Sequence, residues 1–337
     1  MPIYLDHAAT SPMPPEVIAA YASALAVVGN PSSIHSQGQN AKRMLEEARE
    51  QVAASVGADS VEVTFTGGGT EAVNLGIKGL WWARVSTGST RIRPRILVPM
   101  GEHHATIDAI EWLEKHEGAV IEWIPIDALG RIDLVALESA LGDDVALVTV
   151  LSANNEVGTL QPVAEIAALA ARYGVPVHVD AIAEYGYVPI DFHALGVAAL
   201  SISAHKIGGP VGVGALVIAR STTIVPLLHG GNQQRARSGT QDVAGAVRVE
   251  PAVLAPRVAA PVARPPHGRG ELPAERPHVG EVLRNAVAGD RERGVALEGK
   301  ADLVPGDQVA GEHRLAGRVR WDPLGVDAHP VRQNLIV

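Results

Sequence analysis

The chain has no cysteine, so it can form neither a disulfide nor a thiolate-based zinc site. It also lacks any apolar run near the roughly 18–20 residues that a membrane span requires, and no membrane association is expected. Its opening, Met1-Pro-Ile-Tyr-Leu-Asp6, has neither the basic start nor the apolar stretch of a signal peptide, and the expected location is the cytoplasm. Positive charge is in deficit. The formal net charge is −9 and the pI about 5.8, which leaves no basic stripe to neutralise phosphates and no expectation of a nucleic-acid partner. Aromatic residues run out toward the C-terminus: beyond Pro277 only Trp321 remains. What is present is 337 residues with 47% hydrophobic content, enough for a sizeable core and a prior of two domains.

Apolar periodicity predicts helices over 15–26, 39–56, 71–85, 104–117 and 162–173. Strand-like runs fall at 61–66, 95–99, 120–124, 145–151, 176–179, 200–203 and 212–218. On the second helix Ala41, Met44, Leu45, Ala48, Val52 and Val56 recur mostly at steps of three and four, while Glu46-Glu-Ala-Arg-Glu50 reads as a solvated face with Glu46 and Arg49 attracting at i,i+3. Such alternation predicts an α/β fold with a mainly parallel sheet covered on both faces, a geometry that gathers ligands at the carboxyl ends of the strands. Thr66, Asn155, Asp180 and Ser203 fall at or just past such ends. Trp81, Trp82, Trp112 and Trp123 read as core or interface anchors.

Two strand ends carry chemistry. Val175-Pro-Val-His-Val-Asp180 ends in an acid, and Ala199-Leu-Ser-Ile-Ser-Ala-His-Lys206 runs into a lysine. A partly desolvated amine is nucleophilic enough to form a Schiff base with a cofactor aldehyde, and an acid can hold a pyridine nitrogen protonated. A lysine and an aspartate at strand ends can equally serve only to meet water. A third feature, Gly67-Gly-Gly-Thr70 between a strand and a helix, fits a phosphate cup, in which glycines free the backbone and a helix start offers N–H groups. It fits a plain turn just as well. Glu102, His103 and His104 do not make a metal site: adjacent residues at a helix start diverge, and no third ligand lies at suitable spacing.

The ordered segments Tyr4-Leu-Asp-His-Ala-Ala-Thr10, Asn30-Pro-Ser-Ser-Ile-His35, Phe65-Thr-Gly-Gly-Gly-Thr-Glu71, Glu102-His-His-Ala105, Asn154-Asn-Glu-Val-Gly158, His178-Val-Asp-Ala181, Ser203-Ala-His-Lys206 and Arg237-Ser-Gly-Thr240 resemble the motif series of the cysteine desulfurases. These belong to the class-V aminotransferase family of fold-type I enzymes that use pyridoxal 5′-phosphate (PLP). The resemblance covers about residues 1–245. It implies a seven-stranded-type sheet flanked by helices, with Lys206 bearing the cofactor and moving protons at the substrate α-carbon. It further implies Asp180 on the pyridinium nitrogen, His103 stacked on the ring and active in acid–base steps, and Gly69, Thr70, Ser203 and His205 on the phosphate. Asn155 would sit near the cofactor hydroxyl and the substrate. Thr240 would reach the phosphate of a partner subunit, implying a homodimer with shared sites.

Two departures stand out. Where relatives carry a glutamine three residues after the aspartate, this chain has Ala183, which removes one hydrogen bond to the cofactor, a loss of roughly 0.5–1.5 kcal/mol. More seriously, a desulfurase takes sulfur with its own cysteine thiolate, and no other side chain replaces that soft nucleophile well.

From about Arg248 the character of the sequence changes. Pro251 to Pro277 holds seven prolines among interspersed arginines, with little helical periodicity. Neither a cysteine loop nor an arginine-bearing strand for a substrate carboxylate is recognisable there. The expected organisation is a PLP-binding domain over 1–247 and an atypical tail over 248–337 in place of the small C-terminal domain. Such a Pro/Arg/Ala/Gly/Val-rich tail is what a shifted reading frame of a GC-rich gene would encode from near residues 246–250, a divergent natural tail being the other source. The implied activity is conversion of L-cysteine to L-alanine with sulfur passed to an acceptor protein, as in sulfur metabolism and iron–sulfur cluster assembly, impaired here for want of the cysteine. The alternatives are another class-V reaction, β-elimination or transamination, or a non-catalytic PLP-binding scaffold.

Overall fold

The computed structural model describes residues 3–85 and 93–247. The expectations for the tail at 248–337 lie outside the described residues. The chain enters through α1 (Pro15–Leu25), α2 (Ser36–Ser55), β1 (Val63–Thr66) and α3 (Gly69–Val85). It continues with β2 (Arg95–Pro99), α4 (His104–Glu117), β3 (Val120–Ile124), α5 (Leu134–Ala140), β4 (Val145–Leu151), α6 (Val163–Ala171) and β5 (Val177–Asp180). The remaining elements are α7 (Phe192–Leu195), β6 (Ala199–Ser203), β7 (Gly214–Ile218) and α8 (Val243–Ala246).

The strands form one seven-stranded sheet in the order β1-β7-β6-β5-β4-β2-β3. Strand β7 pairs antiparallel with both β1 and β6, and the other neighbours pair in parallel. Only β7 is therefore reversed, and the carboxyl ends of β1, β4, β5 and β6 open on the same edge. Because successive side chains of a strand alternate between faces, the sheet supports two cores. Val148, Val150, Val177, Val179, Leu200 and Ile202 face α2, α5 and α6, whereas Ile96, Val98, Leu147, Leu216 and Ile218 face α3 and α4. All seven residues of β4 are buried, as a central parallel strand covered on both sides requires. Among the described residues no helix is long and apolar enough to cross a membrane.

The structure corrects two details of the sequence reading and separates the tryptophans by burial. Helix α5 was not anticipated: it is one short element with a single fully buried residue, Leu137, too few turns to establish a period. Arg49 is no part of a solvated face. Its side chain is buried, donating to Glu46 (3.1 Å) and to the Val63 carbonyl (2.6 Å) while its guanidinium lies 4.8 Å from the centre of the Phe65 ring. Here a cation is anchored to the backbone of the edge strand β1. Trp81 is core, but Trp112 and Trp123 are 40% and 38% exposed, and Trp112 serves as a platform for the Lys78 ammonium and the His116 ring.

One buried polar group sets how closely α3 approaches the sheet. His178, on β5, is fully buried between the Thr149 and Ser201 hydroxyls, each 2.9 Å from a ring nitrogen. A Cβ on Gly76 of α3 would lie 2.4 Å from its Cδ2. Burial pushes the imidazole down to about 3 from its ordinary 6.5, so it stays neutral in the folded chain while the unfolded chain takes up a proton below pH 6.5. Stability should therefore fall as pH drops from 6.5 toward 3, by about 1.4 kcal/mol per pH unit from this group alone. Urea unfolding at several pH values is the check: the slope should flatten in His178→Gln, and an equally steep loss in the variant would assign the effect elsewhere.

Candidate functional site

Lys206 lies in a 3-10 turn, His205–Ile207, just after β6. The backbone of this turn is clamped by the N-terminal segment. Ser11 Oγ and Tyr187 Oη donate to the Lys206 carbonyl at 2.7 and 2.9 Å, and Ser11 N–H and Thr10 Oγ1 donate to the His205 carbonyl at 2.9 and 3.1 Å. Position 206 is thus held by its main chain rather than by its amine. Burial pulls its pKa below the ordinary lysine value, with Asp180 and Asp6 pulling back toward the charged form. His205 is lowered as well, by burial and by the neighbouring ammonium.

Asp180 ends β5, is 1% exposed, and accepts from the Ile182 N–H at 3.0 Å. Burial raises its pKa, while that hydrogen bond and the charges of His103 and Lys206 favour the anion. These influences place His103 and Lys206 each within electrostatic reach of Asp180. All three share a cavity of about 240 Å³ with Gly69, Thr70, Asn155, His205 and Ala183.

The rest of the expected set is distributed as follows. Gly69 and Thr70 open the 17-residue α3, whose first N–H groups have no helical partner. A Cβ on Gly69 would lie 2.4 Å from Ile182 Cδ1 and 3.1 Å from Ser203 Cβ, so any larger residue would have to push the Ile182 side chain aside for the helix to start this close to the end of β6. Ser203 does not line the cavity; its hydroxyl is buried and lacks a hydrogen-bond partner among the described residues. His103 caps α4 by accepting the Ala105 N–H at Nδ1 (3.0 Å), which leaves Nε2 as the nitrogen free to face a ligand. Thr240 is in a separate cleft of about 90 Å³ with Gly67 and Arg237, where Arg237 is paired with Glu71 at 2.5 Å. The structure thus brings seven of the nine expected residues to one cavity and leaves Ser203 behind its wall and Thr240 outside it.

Several positions that shape the site carried no such signal. Ser11 and Tyr187 act on a residue 195 and 19 positions away, and Glu102 was read only as part of the Glu102-His-His-Ala105 segment and as a rejected metal ligand. A larger cleft, about 600 Å³, lies at the amino ends of β5 and β6, lined by Val175, Val197 and Thr222 among others. It is at the opposite edge of the sheet from the carboxyl-end chemistry, so size does not locate the site. Asp59, Glu62 and His193 bring ligand atoms within 4.8 Å of one another, but Glu62 already takes the N–H groups of Asp59 and Arg220 and the His193 ring, and Asp59 is paired with Arg220.

The donor set suits PLP. An amine and an acid lining one cavity, glycine N–H groups at a long helix start and a serine hydroxyl without a partner among the described residues suit an aldehyde, a pyridine nitrogen and a phosphate. Comparison with known proteins agrees. The aminotransferase class-V family model matches residues 3–252. The chain is 52% identical to the IscS-like cysteine desulfurase of Mycobacterium tuberculosis over 247 residues, 72% of this chain and 62% of that protein. It therefore spans about three fifths of that relative's length. Against the cysteine desulfurase IscS of Clostridium botulinum (strain Kyoto / Type A2) it is 38% identical over 340 residues, 99% of this chain and 78% of that protein; this alignment runs on into the tail. Among solved structures, a NifS-like protein matches with a TM-score of 0.71 and 35% identity, covering 75% of this chain and 69% of the other.

Proposed function

The chain belongs to the class-V aminotransferase family, a family of PLP-dependent enzymes, and from that premise we propose that it binds PLP around Lys206 and acts on L-cysteine in the manner of a desulfurase. The observation that carries this reading is the convergence of Lys206, Asp180 and His103 on one cavity beside the Gly69–Thr70 helix start. Lys206 would hold the cofactor aldehyde, Asp180 would serve the ring nitrogen, and His103 the ring. Gly69, Thr70, Ser203 and His205 would hold the phosphate, and Asn155 the ring hydroxyl. Bound there, the cofactor supplies a carbonyl for the substrate amine and a ring that withdraws electrons. Lys206 would also move the proton at the substrate α-carbon, a task suited to an amine whose burial weakens its hold on a proton. Thr240, outside the cavity, is assigned to the phosphate of a second copy, which makes the working unit a homodimer.

The full reaction converts L-cysteine and a thiol, RSH, into L-alanine and RSSH. With no cysteine in the chain, the thiol must come from outside, and the protein itself can carry no persulfide. Incubated with PLP and L-cysteine, whose own thiol is then the acceptor, it should release alanine only slowly, and faster when a second thiol is added. Brisk alanine release that an added thiol does not change would refute the impairment. The same lack of cysteine favours a second reading, β-elimination or transamination, which needs Lys206 but no protein thiol. Keto acid or ammonia formed from amino acids other than cysteine would select it.

A further inference from the structure

Glu102 is a buried acid that the reaction as derived does not use. Its Oε1 accepts the Leu151 N–H at 2.8 Å, and Oε2 is buried without a hydrogen-bond partner among the described residues. Leu151 is the last residue of β4 and stands in register with Asp180 at the end of β5. The two ends are further joined by the Ser152 N–H, which donates to the Asp180 carbonyl at 2.9 Å. Glu102 immediately precedes His103, whose ring caps α4. One hydrogen bond therefore ties the loop carrying His103 to the strand end beside Asp180.

Resting on the PLP reading above, we propose that Glu102 is a positioning residue: as a neutral acid it fixes the spacing between His103, on one side of the cofactor ring, and Asp180, at the ring nitrogen. An ionised Glu102 would leave one buried oxygen without a donor among the described residues, an expensive state for a buried carboxylate. Burial raises its pKa well above the ordinary value, and the nearby Asp180 adds to the rise. Neutrality has a use here. It leaves Asp180 as the single negative charge available to the pyridinium, where a second anion alongside would compete for the same proton.

The test compares Glu102→Gln with Glu102→Ala, reading PLP affinity by titration and the visible absorbance of lysine-bound cofactor, with thermal melts as the folding control. Glutamine keeps an acceptor for the Leu151 N–H and is neutral, so affinity and band position should match the parent chain. Alanine orphans that N–H and frees the loop, and should weaken PLP binding about tenfold and displace the band. Parent-like behaviour of Glu102→Ala would overturn the positioning role, and an alanine-like Glu102→Gln would overturn the neutral form. Should the alanine variant not fold, Glu102→Gln decides alone. A parent chain that binds no PLP would instead remove the functional reading together with this one.

Discussion

Lys206→Ala is expected to lose entirely the visible absorbance that the parent chain acquires with PLP, and to lower turnover of any amino acid by about 10²–10⁴-fold, the range typical of a removed acid–base group. The reason lies in the division of labour at this position. The main chain of residue 206 is held by Ser11 and Tyr187, so the turn should survive truncation. The amine is half-buried, and only the charges of Asp180 and Asp6 offset its desolvation. Removing it should leave the thermal melt unchanged or slightly raised. Absorbance spectra, borohydride trapping followed by mass spectrometry, and a melt together make the check. A retained visible band would mean that another amine carries the cofactor, and the assignment of the site would fail.

How much of this site could be read from the sequence depends on the range over which each part is specified. Strand ends were legible because β5 and β6 are short apolar runs stopping abruptly at Asp180 and Ser203, and a mainly parallel sheet must turn such ends to one edge. The glycine loop was legible as a turn or a phosphate cup, but the packing around it was not: Gly69 lies against Ile182 and Ser203, residues more than a hundred positions away. The start of α2 was missed by three residues because its cap is a histidine, His35, accepting from Gly38 N–H, rather than one of the usual capping side chains. Arg49 looked solvated because its helical neighbours are charged; the carbonyl and ring that capture it belong to β1. Ser11 and Tyr187 gave no local sign, and the segment holding Glu102 gave none of its bond to Leu151, since a hydroxyl or carboxyl acquires its role only from the backbone group that folding brings to it. Periodicity reports which face is buried, not which distant carbonyl a polar atom will meet.

Asp180→Asn separates charge from shape at the other pole of the site. The amide oxygen can still accept the Ile182 N–H, so the loop after β5 should keep its conformation. Nor should stability suffer, because the substitution removes a carboxylate that burial disfavours. Function should suffer heavily: without an anion the ring nitrogen is not held protonated, and turnover should drop by about 10²–10⁴-fold while PLP still binds. The variant also reports on its neighbours. Asp180 is the largest influence favouring the charged form of Lys206 and the like charge that adds to the rise at Glu102, so both groups should titrate lower once it is neutral. For Lys206 this has a kinetic signature. The amine attacks an aldehyde only when unprotonated, and the pH at which its reaction with PLP reaches half its maximal rate should move down in Asp180→Asn. An unmoved midpoint would show that the acid ending β5 and the amine following β6 do not act on one another, and the shared cavity would lose its chemical meaning.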